Sequence, residues 1–176
     1  MDDAALIQDL RAGSREAIKV LYDRHKEDLF TLARSLLGDA SAAEDVVHDV
    51  FVSFVESLEK YRVNGNLRGY LVTCVANRAR DRLRTAARRA RKPVDLEGRG
   101  RAGPTPDVEV MRQEETQRLR LALVELPYEQ REVVLLHLRG GLTFKEVAGL
   151  QGVSLSTAQG RYRYGLQKLR SMLMSG

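Results

Sequence analysis

Apolar residues return every three or four positions along almost the whole chain, and no stretch alternates apolar with polar between turn residues. The expected fold class is therefore all-α. Leu6, Ile7 and Leu10 mark a first helix, which the Ala12-Gly13-Ser14 break ends. A second resumes at Ala17 and continues through Leu21, Leu29, Leu32, Ala33 and Leu36, with Ser14 suited to cap its start and Gly38 to stop it. Ser41 and Glu44 have the spacing of a capping box, and beyond them Val47, Val50, Phe51, Phe54, Val55 and Leu58 share one face of a third helix. After the loop YRVNGN, a fourth is expected from Asn66 to about Arg84, burying Leu67, Leu71, Cys74, Val75 and Leu83.

The periodicity then stops. Residues 85–107 hold three prolines, three glycines and six basic residues with hardly any apolar ones, which cannot build a core. They divide the chain into two small helical domains, 1–86 and 108–176, joined by a flexible basic linker, 87–107. In the second domain one helix is expected from about Val108 to Leu126. The next starts at Pro127 and stops at Gly140-Gly141. Thr143 and Glu146 form another capping box, opening a two-turn helix that Gly152 breaks. The last helix runs from Ser154 or Ser156 to Leu173, with Leu155, Ala158, Tyr162, Leu166, Leu169 and Leu173 facing inward.

Charge changes the picture more than composition does. The chain of 176 residues is 43% hydrophobic and 30% charged, ordinary for a globular protein, with a net charge of +5. That total conceals a split. Residues 1–60 carry 7 Lys and Arg against 13 Asp and Glu, residues 61–108 carry 12 against 4, and residues 109–176 carry 10 against 7. Acid first and base afterwards suggests one basic partner and one polyanion, such as nucleic acid. No apolar run is long enough for a bilayer, and the acidic start MDDAALIQDL is unlike a signal peptide, so a cytoplasmic protein is expected. The single cysteine, Cys74, excludes an internal disulfide and a cysteine zinc site.

The segment LTFKEVAGLQGVSLSTAQGRYRYGLQKLR has the layout of a helix-turn-helix, with small Ala148 at the crossing and Gly152 in the turn. Such a helix fits the major groove, where Thr157, Gln159, Gly160, Arg161, Arg163 and Tyr164 are the candidates to meet DNA. Arg78, Arg80, Arg82, Arg84, Arg88, Arg89 and Arg91 form a run dense enough to follow a phosphate backbone, beyond what the helix dipole requires. Tyr61 and Tyr70 are either half-buried core or platforms for unpaired bases. Asp45 and His48 have the spacing of a carboxylate–histidine metal pair, but no second copy exists for a di-metal site. Neither a phosphate loop nor a nucleophile elbow is present, so neither an enzyme nor a cofactor or metal site is expected.

Taken together, AEDVVHDVFVSFVESLEKY, LRGYLVTCVANRARDRLR and LPYEQREVVLLHLRGGLTFKEVAGLQGVS…RYRYGLQKLR, in that order, resemble an extracytoplasmic-function sigma factor of bacterial RNA polymerase. The resemblance implies that Glu44, Asp45, His48, Asp49 and Glu56 dock on a basic face of core RNA polymerase. It implies that the loop from Tyr61 to Asn66, with Asn77, Arg78, Arg80, Asp81, Arg82 and Arg84, recognises and opens the −10 element of promoter DNA, and that the helix-turn-helix reads the −35 element. An anti-sigma protein is a further implied partner, with no membrane insertion and no stable homo-oligomer. Gln159 and Gly160 stand where many relatives have Lys or Arg followed by Ser, which bears on the −35 sequence read. The alternative is a stand-alone helix-turn-helix regulator, dimeric on a palindromic operator.

Overall fold

A computed structural model describes residues 2–62, 66–91 and 110–175, apart from the side chains of 110–112. Among them are eight helices: α1 (Asp3–Arg11), α2 (Arg15–Leu37), α3 (Ala40–Glu56), α4 (Leu67–Ala90), α5 (Val110–Glu125), α6 (Tyr128–Leu138), α7 (Phe144–Gln151) and α8 (Leu155–Met174). The expected all-α class holds.

Polar caps fix where these helices begin. The Ala17 amide donates to Ser14 Oγ at 3.2 Å, and Gly38 closes α2 in the left-handed conformation at φ 72°. Thr143 and Glu146 form the expected reciprocal box at α7, and Gly152 ends that helix at φ 64°. The cap of α3 differs from expectation. Asp39, not Ser41, accepts from the Ala42 amide at 2.7 Å, because Gly38 delivers the chain to Asp39 in extended conformation and a carboxylate caps at least as well as a hydroxyl. Pro127, expected to begin α6, stands just outside it at the N-cap position and makes no side-chain cap bond.

Two further corrections concern extent and burial. α4 runs to Ala90, so residues 87–90, expected in the linker, complete a helix of arginine and alanine. Both are good helix formers, and cations suit a helix C-terminus. Of the remaining linker residues, 92–107 lie outside those described. Leu155, expected to face inward, is exposed in the first turn of α8.

The core is one continuous cluster. Leu6, Ile7, Leu21, Leu32, Phe54, Leu71 and Val75 fill the space among α1, α2, α3 and α4, while Leu123, Val133, Leu136, Leu142 and Val147 hold α5, α6 and α7. Helix α2 packs on α3 and α4 and also meets α5 and α6, so the two helical groups close against each other.

His25 lies within this packing, 6% exposed, and its Nε2 has no hydrogen-bond partner among the described residues. Burial lowers its pKa, as do Arg24 and Arg68, against the opposing pull of Asp3 and Asp28. A base whose folded pKa is depressed gives full stability above its ordinary value of about 6.5 and loses it as pH falls toward the folded value. Stability should therefore fall between about pH 7 and 5, and His25→Leu should flatten the fall by at most about 1.4 kcal/mol per pH unit, the limit for one proton. Urea melts of both chains across that range measure the difference in slope.

Candidate nucleic-acid interface

The third helix divides cleanly by position. Ala43, Val46, Val47 and Val50 are buried, while Glu44, Asp45, His48, Asp49 and Glu56 are exposed. Beside this acidic face lies a hollow of about 270 Å³ between α2 and α3, lined by Tyr22, Lys26, Glu27, Phe30, Glu44 and His48.

The acids and the arginines of α4 are not segregated as their positions in sequence suggest. Arg82 Nη2 donates to Asp45 Oδ2 at 3.0 Å. Arg78 lies 3.9 Å from Asp49 and donates to Ser53 Oγ at 2.6 Å. Two residues along, Arg80 points away from α3 into the second domain, where Nη2 donates to both carboxylate oxygens of Glu132 at 2.7 Å and Nη1 donates to the Leu150 carbonyl at 2.6 Å. Arg84 faces the same way, into a cleft of about 530 Å³ shared with Tyr128, Glu132, Gln151 and Arg161. One helix thus presents Arg78 and Arg82 to α3, and Arg80 and Arg84 to the other domain.

At the start of α4, Asn66 caps the helix by accepting from the Gly69 amide at 2.8 Å. Tyr61 is buried at 9% exposure, its ring 5.3 Å from Phe54 and 4.8 Å from Tyr70. Burial also pushes its phenol pKa up. The aromatic surface at this edge belongs to Tyr70, 37% exposed. Asn77 is exposed on α4.

The helix-turn-helix is α7 and α8. Val147 and Ala148 are buried at the crossing, the Val153 amide donates to the Ala148 carbonyl across the turn, and Ser154 caps α8 by accepting from the Thr157 amide at 3.2 Å. Aromatic rings tie it to α6: His137 stacks on Phe144 at 4.0 Å, and Tyr162 meets both edge-on. Thr157, Gln159, Arg163 and Tyr164 are exposed along the leading edge, and the Arg163 guanidinium lies 5.3 Å from the Tyr164 ring centre. Arg161 is half-buried and donates to Gln151 Oε1 at 2.9 Å.

The two glycines of α8 do different work. A Cβ at Gly165 would meet Val134 Cγ2 at 3.0 Å, so this glycine permits the close crossing of α6 and α8, whereas a Cβ at Gly160 meets nothing within 4 Å. Gly160→Ala should raise stability by about 1 kcal/mol, and Gly165→Ala should gain less or lose, since Val134 must shift. Thermal melts of the two variants test the contrast.

Three residues that sequence reasoning left aside, Glu132, Arg131 and Arg68, organise the space between the domains. Glu132, 1% exposed, also accepts from Gln151 Nε2 at 2.9 Å and the Tyr128 hydroxyl at 3.3 Å. Arg131 donates to the Leu36, Val124 and Leu126 carbonyls. Arg68 donates to those of Arg139 and Gly140 at 2.7 and 3.0 Å. The one local signal was Arg131-Glu132 set before the apolar run VVLL. Among the described residues no group of three or more His, Cys, Asp or Glu could hold a metal ion, and the Asp45 carboxylate is bonded to Arg82.

Comparison with known proteins gives the arrangement its context. Residues 21–89 match the family model of sigma-70 region 2, and residues 116–169 that of sigma-70 region 4. The chain is 29% identical to the RNA polymerase sigma factor CarQ of Myxococcus xanthus over 93% of its own length and 92% of that protein. It is 26% identical to the ECF RNA polymerase sigma factor SigK of Mycobacterium tuberculosis, over 96% of its length and 92% of that protein's. Its fold matches that in the structure of CnrH in complex with the cytosolic domain of CnrY, with a TM-score of 0.68, 26% identity and coverage of 98% and 97% of the two chains. With region 2 on α2–α4 and region 4 on α5–α8, the chain belongs to the sigma-70 family, as an extracytoplasmic-function sigma factor of RNA polymerase.

Proposed function

We propose that the chain binds core RNA polymerase through the exposed acids of α3 and directs it to promoters. In this reading α4, with Asn66, Tyr70, Asn77, Arg78, Arg80, Arg82 and Arg84, takes the −10 element, and α8 reads the −35 element through Thr157, Gln159, Arg161, Arg163 and Tyr164. The observation that carries it is the coexistence, in one chain, of an exposed acidic helix and a helix-turn-helix whose leading edge is largely free. Gln159 suits adenine and Arg163 suits guanine or phosphate in the major groove.

Opening DNA needs no catalytic group. Holding unpaired bases by stacking and hydrogen bonds offsets the few kcal/mol that unpairing costs. The protein works where polymerase and DNA are, in the cytoplasm, and no helix among the described residues is long and apolar enough to cross a membrane. An anti-sigma protein completes the reading as its regulator.

Run-off transcription with core enzyme on a genomic fragment library tests the proposal. Transcripts that start at discrete sites only when the chain is added are the expected result. Their absence, with tight binding of the isolated chain to a palindromic duplex, would transfer the function to a dimeric regulator.

A further inference from the structure

Glu132 is a buried carboxylate whose neighbours in its own domain, Gln151 and Tyr128, are neutral donors. Its ion-pair partner, Arg80, comes from the other domain. Gln151, which donates to Glu132, in turn accepts from Arg161. One carboxylate therefore holds an arginine assigned to the −10 element directly and an arginine assigned to the −35 element through a single glutamine.

Two more clasps run beside it. Arg68 of α4 donates to the carbonyls that end α6, and Arg131 of α6 donates to the Leu36 carbonyl near the end of α2. Arg80 adds the Leu150 carbonyl near the end of α7. All three cations thus sit at the negative end of a helix belonging to the opposite domain, where the dipole favours them.

This closed arrangement cannot span a promoter. Elements two turns of duplex apart are separated by roughly 70 Å, and residues joined through one glutamate and one glutamine cannot serve both. We propose that Glu132 is a latch that keeps the core-free chain closed and withholds Arg80 and Arg161 from DNA until the domains part. On parting, water reaches the carboxylate and both guanidinium groups, so the latch is reversible and leaves no charge stranded in a dry interior. The proposal rests on the assignment of α4 and α8 to promoter contact.

The test uses the full chain without core enzyme, as wild type, Arg68→Ala and Arg68→Ala/Glu132→Gln. The single variant removes an interdomain clasp while leaving every bond of Glu132 in place, so it remains informative should the double variant fold poorly. Small-angle X-ray scattering reads compactness, for which a compact chain of this length has a radius of gyration of roughly 16 Å. Fluorescence anisotropy with a labelled mixed-sequence duplex, titrated with salt, reads the arginines. The latch predicts a larger radius in the variants, least in wild type and greatest in the double. It also predicts about tenfold tighter DNA binding at low salt, and a log–log salt slope steeper by about 2 from the two freed cations. An unchanged radius in both variants overturns it, and so does a larger radius with unchanged salt slope. Run-off transcription by wild-type chain with core enzyme separates the two ideas: success there with variants that stay closed sinks the latch alone, while failure there sinks the sigma reading.

Discussion

Phe54→Ala is expected to cost about 3–5 kcal/mol, the range for emptying a large aromatic site in a packed core. Phe54 is 2% exposed and is among the largest fully buried side chains. Its ring meets Tyr61 at 5.3 Å and Tyr70 at 5.8 Å, so removing it takes away the support for the aromatic edge beside α4 as well as the contacts of α3. Native proteins hold only about 5–15 kcal/mol in total. The variant should therefore show a urea midpoint well below wild type. Leu138→Ala, at an exposed position, should stay within about 0.5 kcal/mol. If the −10 edge depends on this cluster, the variant also fails to open promoter DNA with core enzyme at temperatures where its helices are still intact by circular dichroism. Wild-type midpoint and opening would remove the cluster from the account.

Glu44→Lys/Glu56→Lys is expected to weaken core polymerase binding at least tenfold, about 1.4 kcal/mol. The choice of residues follows from the ion pairs. Asp45 and Asp49 are engaged by Arg82 and Arg78, so reversing them sets lysine against arginine and disturbs α4 together with the acidic face of α3. Glu44 and Glu56 make no ion pair among the described residues, so their reversal changes the docking charge with little effect on the fold. The loss should fall mainly on the association rate and shrink as salt rises, as steering charges do. Surface-immobilised core enzyme measured at two salt concentrations reads both effects, and unaltered rates would detach the acidic helix from polymerase.

Local order was plain in the sequence where a cap and a period agree. Ser14 and Thr143 with Glu146 each open a helix, and Gly38 and Gly152 each close one, by a mechanism visible in a window of four residues. Where two signals lie side by side, as with Asp39 and Ser41, the pattern allows either, and the left-handed Gly38 that precedes them decides. The end of α4 was missed because a basic, linker-like composition is also a good helix C-terminus. Most of the candidate DNA-facing residues are exposed, but Tyr61 is buried and Arg80 and Arg161 are held by side chains of other helices, which a short window of sequence does not show. Arg80 finds Glu132 across 52 residues and Arg131 finds Leu36 across 95, separations at which periodicity carries no information.

The pairs Arg82–Asp45 and Arg78–Asp49 set two carboxylates of α3 as counterions to two guanidinium groups on the neighbouring helix. Any cationic protein that claims those carboxylates acts as a competing counterion. It turns two neutralised arginines into unbalanced positive charge on the same face, and the electrostatic potential there rises without a backbone atom having to move.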